Sequence, residues 1–223
     1  GALRAELNDP LKVVFQGAYP AACGERVWPV AYPAPREFAA RAVEGMWREL
    51  GGKLTGSVRE GKVPAGLKPA FVSTSPALAE VVRDVNKYSN NVMAQHVFLT
   101  LARQKNGVAT LAGARETLRQ WWQARLADVD APAPDNGAGL SRDARITAQA
   151  LARMLQAAWA SPVMPELVAS LPIAGVDGTL RRSQSRSAAH LKTGSLRDVM
   201  AVAGYVHAQS GRRYVLVAIV NHP

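Results

Sequence analysis

Two short polar motifs carry side chains that can exchange a proton. Tyr88-Ser89-Asn90-Asn91 places a hydroxyl two residues before a carboxamide, and His190-Leu191-Lys192-Thr193-Gly194-Ser195 places an amine and a hydroxyl directly before a glycine. A serine hydroxyl is a weak nucleophile until a neighbouring base takes up its proton. Each motif alone also fits a structural explanation: Ser89 as a helix N-cap, and Lys-Thr-Gly as a strand end that runs into a turn.

Other residue patterns that build active sites are missing from the sequence. There is no HExxH, CxxC or GxxxxGK[ST] motif, and Ser141 lies in Gly-Leu-Ser-Arg-Asp, without the second glycine of GxSxG. The four histidines are isolated from one another, and Cys23 is the only cysteine, so no internal disulfide can form. We therefore expect neither a metal ion nor a cofactor.

Composition indicates a folded domain with a basic surface. The 223 residues are 48% hydrophobic and 20% charged, and 27 basic against 17 acidic residues give a net charge of +10. The basic residues are scattered, without stacking aromatics or zinc-knuckle spacing, so we expect no nucleic-acid partner. The charge is compatible with peripheral association with a membrane or an anionic cell wall. No apolar stretch of about 18 residues is present.

The first third of the chain is rich in turn residues between short elements. The pattern predicts a strand over 11–15, a helix over 36–50 that ends at a glycine pair, and a strand over 55–63. A cluster of Gly and Pro residues after 61 marks a domain boundary, which we place after residue 66.

The second part reads as helices followed by strands. We expect one helix capped by Ser75, further helices over 90–104 and 110–126, and a helix over 148–159 capped by Thr147. Strands over 189–193, 199–208 and 213–220 have short turns between them and predict an antiparallel meander. The fold class is therefore α+β, an antiparallel sheet flanked by helices in three layers. Six apolar residues should alternate with their neighbours across the sheet faces: Ala201, Ala203, Tyr205, Leu216, Ala218 and Val220.

The two polar motifs and their flanking segments together resemble one enzyme family. The order Ser-Asn-Asn then Lys-Thr-Gly, with 136–142 (NGAGLSR) and 171–180 (LPIAGVDGTL) between them, is similar to the class C low-molecular-mass penicillin-binding proteins. These are periplasmic D-alanyl-D-alanine carboxypeptidases and endopeptidases. The resemblance implies a partial serine D,D-peptidase domain over 67–223, with 1–66 as the end of an inserted accessory domain.

The sequence departs from the family at the nucleophile. The family's nucleophilic serine lies in an SxxK motif, and no serine or threonine here is followed by lysine three residues later. We expect a fragment, incomplete in its fold, that lacks the SxxK segment and an upstream signal peptide. The unpaired Cys23 fits that expectation, and the chain alone should be inactive.

The resemblance implies roles for the residues of the first motif. Ser89, at the start of a helix, would relay a proton towards the leaving amine. Asn91 would donate a hydrogen bond to the substrate backbone, and Asn90 would point away from the site.

The second motif would form the opposite wall. Lys192 would supply positive charge near Ser89, and Thr193 would contact the terminal carboxylate of the substrate. Gly194 would let the substrate lie close to the strand, and the Ser195 backbone N–H would be one oxyanion donor. Residues 177–179 (DGT) match a family signature, for which the sequence suggests only a tight loop that supports the site.

The implied partners are peptidoglycan stem peptides that end in D-Ala-D-Ala and, for the complete enzyme, β-lactam antibiotics. Two alternatives stay open: a catalytically inactive cell-wall-binding module, and a relative of the β-lactamases. An SxxK motif upstream of this chain would favour the enzyme over the module.

Overall fold

A computed structural model describes residues 3–28, 30–184 and 188–222. The chain divides into two compact units, Gly1–Val72 and Ser73–Pro223. Within the described residues, no helix is both long and apolar enough to cross a membrane. The assignment of 1–66 to an inserted domain stays a prediction.

The first unit contains a hairpin and one helix. Strands β1 (Arg4–Asp9) and β2 (Lys12–Gln16) pair antiparallel, and α1 spans Phe38–Glu49. The predicted strand over 55–63 is wrong, because that segment is irregular and pairs with no described strand. An alternating pattern broken by two glycines cannot become a strand without a partner to bond its backbone.

Five helices form the helical part of the second unit. As predicted, the Thr147 side chain caps one of them by accepting from the Ala150 N–H. The predicted Ser75 cap is wrong, because helix α2 (Leu78–Tyr88) begins after Ala77 without a side-chain cap. Helix α6 (Met164–Ser170) is not among the predicted helices; its Pro165 lies in the first turn, where proline is tolerated. The helices are α2 (Leu78–Tyr88), α3 (Asn91–Asn106), α4 (Leu111–Arg125), α5 (Ala148–Trp159) and α6 (Met164–Ser170).

The second unit ends in the predicted antiparallel meander. Strands β3 (Ala188–Leu196), β4 (Val199–His207) and β5 (Arg213–Asn221) lie in that order, so the α+β class is confirmed. In the register Lys192 lies opposite Ala203, and Ala203 lies opposite Val217.

Side chains alternate across the sheet, with one correction to the predicted set. Tyr205 and Ala203 of β4 pack with Val215 and Val217 of β5 against Leu155 of α5. The predicted β5 residues Leu216, Ala218 and Val220 therefore lie on the opposite face, where the described chain leaves Leu216 and Val220 exposed. Helix α5 forms a layer on one face only in the described part, so two of the three expected layers are seen.

A loop segment runs along the free edge of β3. The Leu191 N–H donates to the Pro172 carbonyl at 2.8 Å, and the Ala174 N–H donates to the Ala189 carbonyl at 3.0 Å. Segment 172–174 thereby fixes the position of the strand that carries Lys192.

Candidate active site

Ser89 and Lys192 meet although they lie 103 positions apart. The Lys192 ammonium Nζ donates to the Ser89 Oγ at 3.2 Å, which confirms the prediction that these side chains are close in space. A cation that touches a hydroxyl both orients it and offers a path for a proton.

Ser89 occupies an unusual backbone position between two helices. Its φ of 53° and ψ of 48° are left-handed, and it is the only non-glycine residue with positive φ in the described chain. Such a conformation is strained for a residue with a Cβ and persists only where the surroundings hold it. Ser89 ends α2 and directly precedes the start of α3, so the motif lies at a helix start as expected. The alternative of Ser89 as an N-cap is wrong, because the Asn90 side chain caps α3 by accepting from the Met93 N–H.

Lys192 is half-buried on β3 and bonds with neutral partners. Its Nζ also donates to the Thr193 carbonyl at 2.8 Å, and no carboxylate of the described chain forms an ion pair with it. Desolvation lowers the pKa of the Lys192 ammonium below the usual 10.5. The amine therefore gives up its proton more readily than an exposed lysine does.

The residues after Lys192 leave space along the strand. The Thr193 hydroxyl lies 3.1 Å from the Thr179 hydroxyl. A Cβ added at Gly194 would meet only the Ala201 methyl at 3.6 Å, an ordinary contact, so packing within the described chain does not require glycine there. Ser195 is exposed, and its hydroxyl donates to the Met200 sulfur at 3.3 Å.

Asn91 is the first residue of α3, two positions after Ser89. It is half-buried, and its side chain makes no hydrogen bond with the described residues. The Asn91 carboxamide is therefore not engaged by the other described side chains near Ser89.

An open cavity lies beside the second motif. It measures about 430 Å³ and is lined by Gly178, Thr179, Arg181 and Arg182. Thr179 connects it to Thr193 through their hydroxyl contact, so basic side chains lie next to the Lys-Thr-Gly wall.

Lys87, two residues before Ser89, is buried and is not among the predicted site residues. Its Nζ donates to the Asp177 carboxylate at 2.6 Å and to the Leu171 carbonyl at 2.7 Å. Desolvation raises the pKa of Asp177, but the hydrogen bonds from Lys87 and the Ile173 N–H and the nearby positive charges outweigh it, so the pKa is lowered. One sequence signal could have indicated that Asp177 has a basic partner. Asp177 is the only acidic residue between Glu166 and Asp198, a stretch rich in basic residues.

Fold and site together define a class of protein. Helices pack against an antiparallel sheet, and a serine at a helix junction meets a lysine on β3, the first strand of that sheet, as the family resemblance led us to expect. Residues 4–223 match the D-Ala-D-Ala carboxypeptidase 3 (S13) family over nearly the whole chain. The chain belongs to that family.

Related proteins agree with this assignment. A D-alanyl-D-alanine carboxypeptidase from Actinomadura sp. (strain R39) is 30% identical over 204 residues, which cover 84% of this chain and 37% of the relative. Carboxypeptidase DacB from Mycolicibacterium smegmatis is 32% identical over 174 residues, covering 72% of this chain and 38% of the relative.

A solved structure shows the same fold. The crystal structure of penicillin binding protein 4 from Haemophilus influenzae, in complex with a β-lactam, superposes with a TM-score of 0.78 at 22% identity. The match covers 99% of this chain and 52% of that one. The chain therefore spans about half the length of this structure and less than half that of the two curated relatives.

Proposed function

We propose that this chain supplies two walls of the active site of a serine D-Ala-D-Ala carboxypeptidase. The observation that carries the proposal is the 3.2 Å contact between the Lys192 amine and the Ser89 hydroxyl. Family membership supports it, as does the name of the 30% identical Actinomadura relative.

The reaction is acyl transfer to a serine and then to water. The nucleophilic Oγ forms a bond to the carbonyl carbon between the two D-alanines, the C–N bond breaks, and D-alanine leaves. Water then attacks the ester and releases the shortened peptide. Since no serine here precedes a lysine by three positions, we place the nucleophile outside these 223 residues.

In this proposal Ser89 and Lys192 carry the proton to the leaving amine. The nucleophile loses a proton as it attacks, and the departing nitrogen must gain one. The hydroxyl of Ser89 can donate to that nitrogen while it accepts from Lys192, whose lowered pKa favours release. Asn91 would hold the substrate backbone through its carboxamide, which is free of hydrogen bonds within the described chain.

The strand wall would bind the end of the substrate. The Thr193 hydroxyl and the Lys192 charge suit a terminal carboxylate. The open face of Gly194 leaves room for a peptide beside the strand. The Ser195 N–H would act as one oxyanion donor, a contribution of about 3 kcal/mol to transition-state stabilisation.

The same acyl-transfer reaction extends to peptide cross-bridges and to β-lactams. Cleavage of peptide cross-bridges uses the same attack on a D-Ala carbonyl, and a β-lactam ring opens on the same serine. The β-lactam complex of the Haemophilus protein, whose fold this chain shares, supports the latter. Peptidoglycan stem peptides are the expected substrates, and a periplasmic location is part of this proposal.

Labelling with a fluorescent penicillin tests the proposal. The full-length protein should form a stoichiometric adduct, seen by intact-protein mass spectrometry, and should release D-alanine from a peptide that ends in D-Ala-D-Ala. The isolated 223-residue chain should form none. A stoichiometric adduct on that chain would show that the nucleophile lies within it.

Substitution of Ser89 separates the enzyme from a wall-binding module. Ser89→Ala in the full-length protein should slow acylation by about 100-fold or more, because the proton relay is lost. Ser210→Ala, in the exposed turn between β4 and β5, is the matched control and should change nothing. A full-length protein that binds peptidoglycan but is not acylated would favour the module.

A further inference from the structure

Lys87 is the only charged side chain that is buried among the described residues. Its residue exposure is 8%, and both hydrogen bonds of its ammonium go to the loop that follows α6. A buried ammonium persists only where partners compensate its lost hydration. The Asp177 carboxylate and the Leu171 carbonyl are therefore specific partners and not incidental contacts.

The two partners of Lys87 are connected by hydrogen bonds to segment 172–174, which runs along β3, the strand that carries Lys192. Leu171 precedes the Pro172 carbonyl, which accepts from the Leu191 N–H, one residue before Lys192. The second Asp177 oxygen accepts from the Ile173 N–H at 2.7 Å, so the carboxylate also fixes the segment beside β3. One bond of Lys87 thus ends on the backbone just before segment 172–174, and the other ends on a carboxylate that itself holds this segment.

Directly after Asp177, the same loop touches the end of α2 and the strand that carries Lys192. Gly178 packs so tightly on the end of α2 that an added Cβ would lie 2.6 Å from the Lys87 carbonyl oxygen. Thr179 then reaches the Thr193 hydroxyl. The loop after Asp177 therefore contacts α2 two residues before Ser89 and contacts β3 one residue after Lys192.

Ser89 itself needs such support. Its left-handed backbone is strained, and a strained residue holds its geometry only where neighbouring contacts over-determine it. Two residues earlier, the Lys87 ammonium holds the end of α2 through its hydrogen bonds to Leu171 and Asp177.

We propose that Lys87 and Asp177 are a positioning pair that sets the Ser89–Lys192 contact by tying the end of α2 to the segment beside β3. The catalytic consequence rests on the proposed function, whereas the geometric part does not. Neither residue touches the reacting groups, so neither is a catalytic residue. The pair would act through the placement of Ser89.

Acylation kinetics of full-length Lys87→Met measure the effect. With a fluorescent penicillin at increasing concentration, the limiting rate should fall about 10- to 100-fold, as expected for a proton relay displaced by about 1 Å. The concentration for half-maximal rate should stay within about twofold, because β3 keeps its backbone pairing with β4 and with segment 172–174 when Lys87 is lost. Arg153 lies on α5, and Arg153→Met removes its exposed ion pair with Asp128; this variant should leave both values unchanged.

A double variant separates positioning from general stability. If Lys87 acts through Ser89, then Lys87→Met with Ser89→Ala should be acylated no more slowly than Ser89→Ala alone, since the relay is already gone. Losses that multiply would show an independent effect and overturn the proposal.

A milder variant and a direct distance keep the test decisive. Asp177→Asn keeps an oxygen acceptor for Lys87 and should give a smaller rate loss than Lys87→Met; if the latter does not fold, Asp177→Asn replaces it. In crystals of the full-length variant, the Ser89 Oγ to Lys192 Nζ separation should exceed hydrogen-bonding distance. The positioning pair is overturned if the variant keeps either the Ser89 Oγ to Lys192 Nζ separation or the limiting acylation rate of the wild type. A wild-type enzyme that is not acylated overturns the proposed function instead. In that case the measured separation alone decides whether Lys87 and Asp177 position Ser89.

Discussion

The two walls of the site are held by different kinds of bond. Lys192 lies on β3, which pairs with β4 over nine residues and with segment 172–174 at its other edge. Ser89 lies at a helix junction in a left-handed conformation, and the Lys87 side chain, two residues earlier, anchors the end of α2 to the loop that follows α6. Backbone ladders tolerate side-chain changes, whereas a side-chain anchor is lost with one substitution. The Ser89 wall should therefore be the easier one to displace.

Loss of Lys192 should give the largest change in activity. In the full-length protein, Lys192→Ala should lower the second-order rate of penicillin acylation by about 10²- to 10⁴-fold, because in the proposed function the amine serves both the proton path and the carboxylate anchor. Lys192→Arg sharpens the result, since arginine keeps the charge but does not release a proton near neutral pH. It should restore binding of the substrate carboxylate without restoring the rate.

Lys105→Ala is the matched control for these variants. Lys105 lies near the end of α3 and hydrogen-bonds Gln120 on the neighbouring helix, exposed to solvent. Its loss should leave acylation unchanged. Equal losses in the Lys105 and Lys192 variants would show that net charge, and not the Ser89 contact, carries the effect.

The strand wall can be broken through its backbone. Gly204 has φ of 153°, and an added Cβ would lie 2.1 Å from the His190 carbonyl oxygen on β3. Gly204→Ala should therefore lower the free energy of unfolding by about 2–5 kcal/mol in urea titrations of the full-length protein, because the two strands cannot keep their spacing.

Gly211→Ala tests whether backbone conformation alone explains that loss. Gly211 also has positive φ, 79°, but nothing lies within 4 Å of an added Cβ. The variant should cost about 1–2 kcal/mol, the ordinary penalty of a left-handed residue. Equal destabilisation by the two variants would mean that close packing of β4 on β3 contributes nothing.

The strand wall could be predicted from sequence in detail, and the reason is local. Alternating apolar residues and short turns define β3 to β5, and a meander leaves one simple pairing order. Which residues of each strand face the helices was harder to predict, because β5 has apolar residues on both faces. Only packing against Leu155 shows that Val215 and Val217, rather than Leu216, face the helices.

The Ser89 wall could be predicted only as a motif. The serine and its lysine partner followed from the family resemblance, but the left-handed backbone at Ser89 and the burial of Lys87 did not. Lys87 contacts residues 84 and 90 positions away, and a lysine in a helix is ordinarily solvent-exposed. Long-range contacts of this kind leave no periodic signal in the sequence.

The smallest expected effect concerns acid pH and again distinguishes the two walls. The pKa of Asp177 is lowered below 3.8: desolvation raises it, but the Lys87 and Ile173 hydrogen bonds and nearby positive charge more than offset that. A carboxyl whose folded pKa is depressed adds stability above its unfolded pKa, and this is lost as pH falls through the folded pKa. Asp177→Asn should therefore lose less stability than the unmodified protein between about pH 6 and pH 3.

The magnitude should be modest because water reaches the carboxylate. The Asp177 side chain is 38% exposed, so we expect a difference of about 1 kcal/mol or less between the two proteins in urea unfolding at the two pH values. Asp84→Asn, which removes an exposed α2 carboxylate without an ion pair in the described chain, is the matched control for the loss of one negative charge. If Asp177→Asn keeps the acid dependence of the unmodified protein, the bond to Lys87 does not depend on the charge of Asp177, and neutral hydrogen bonds alone hold the end of α2 beside β3.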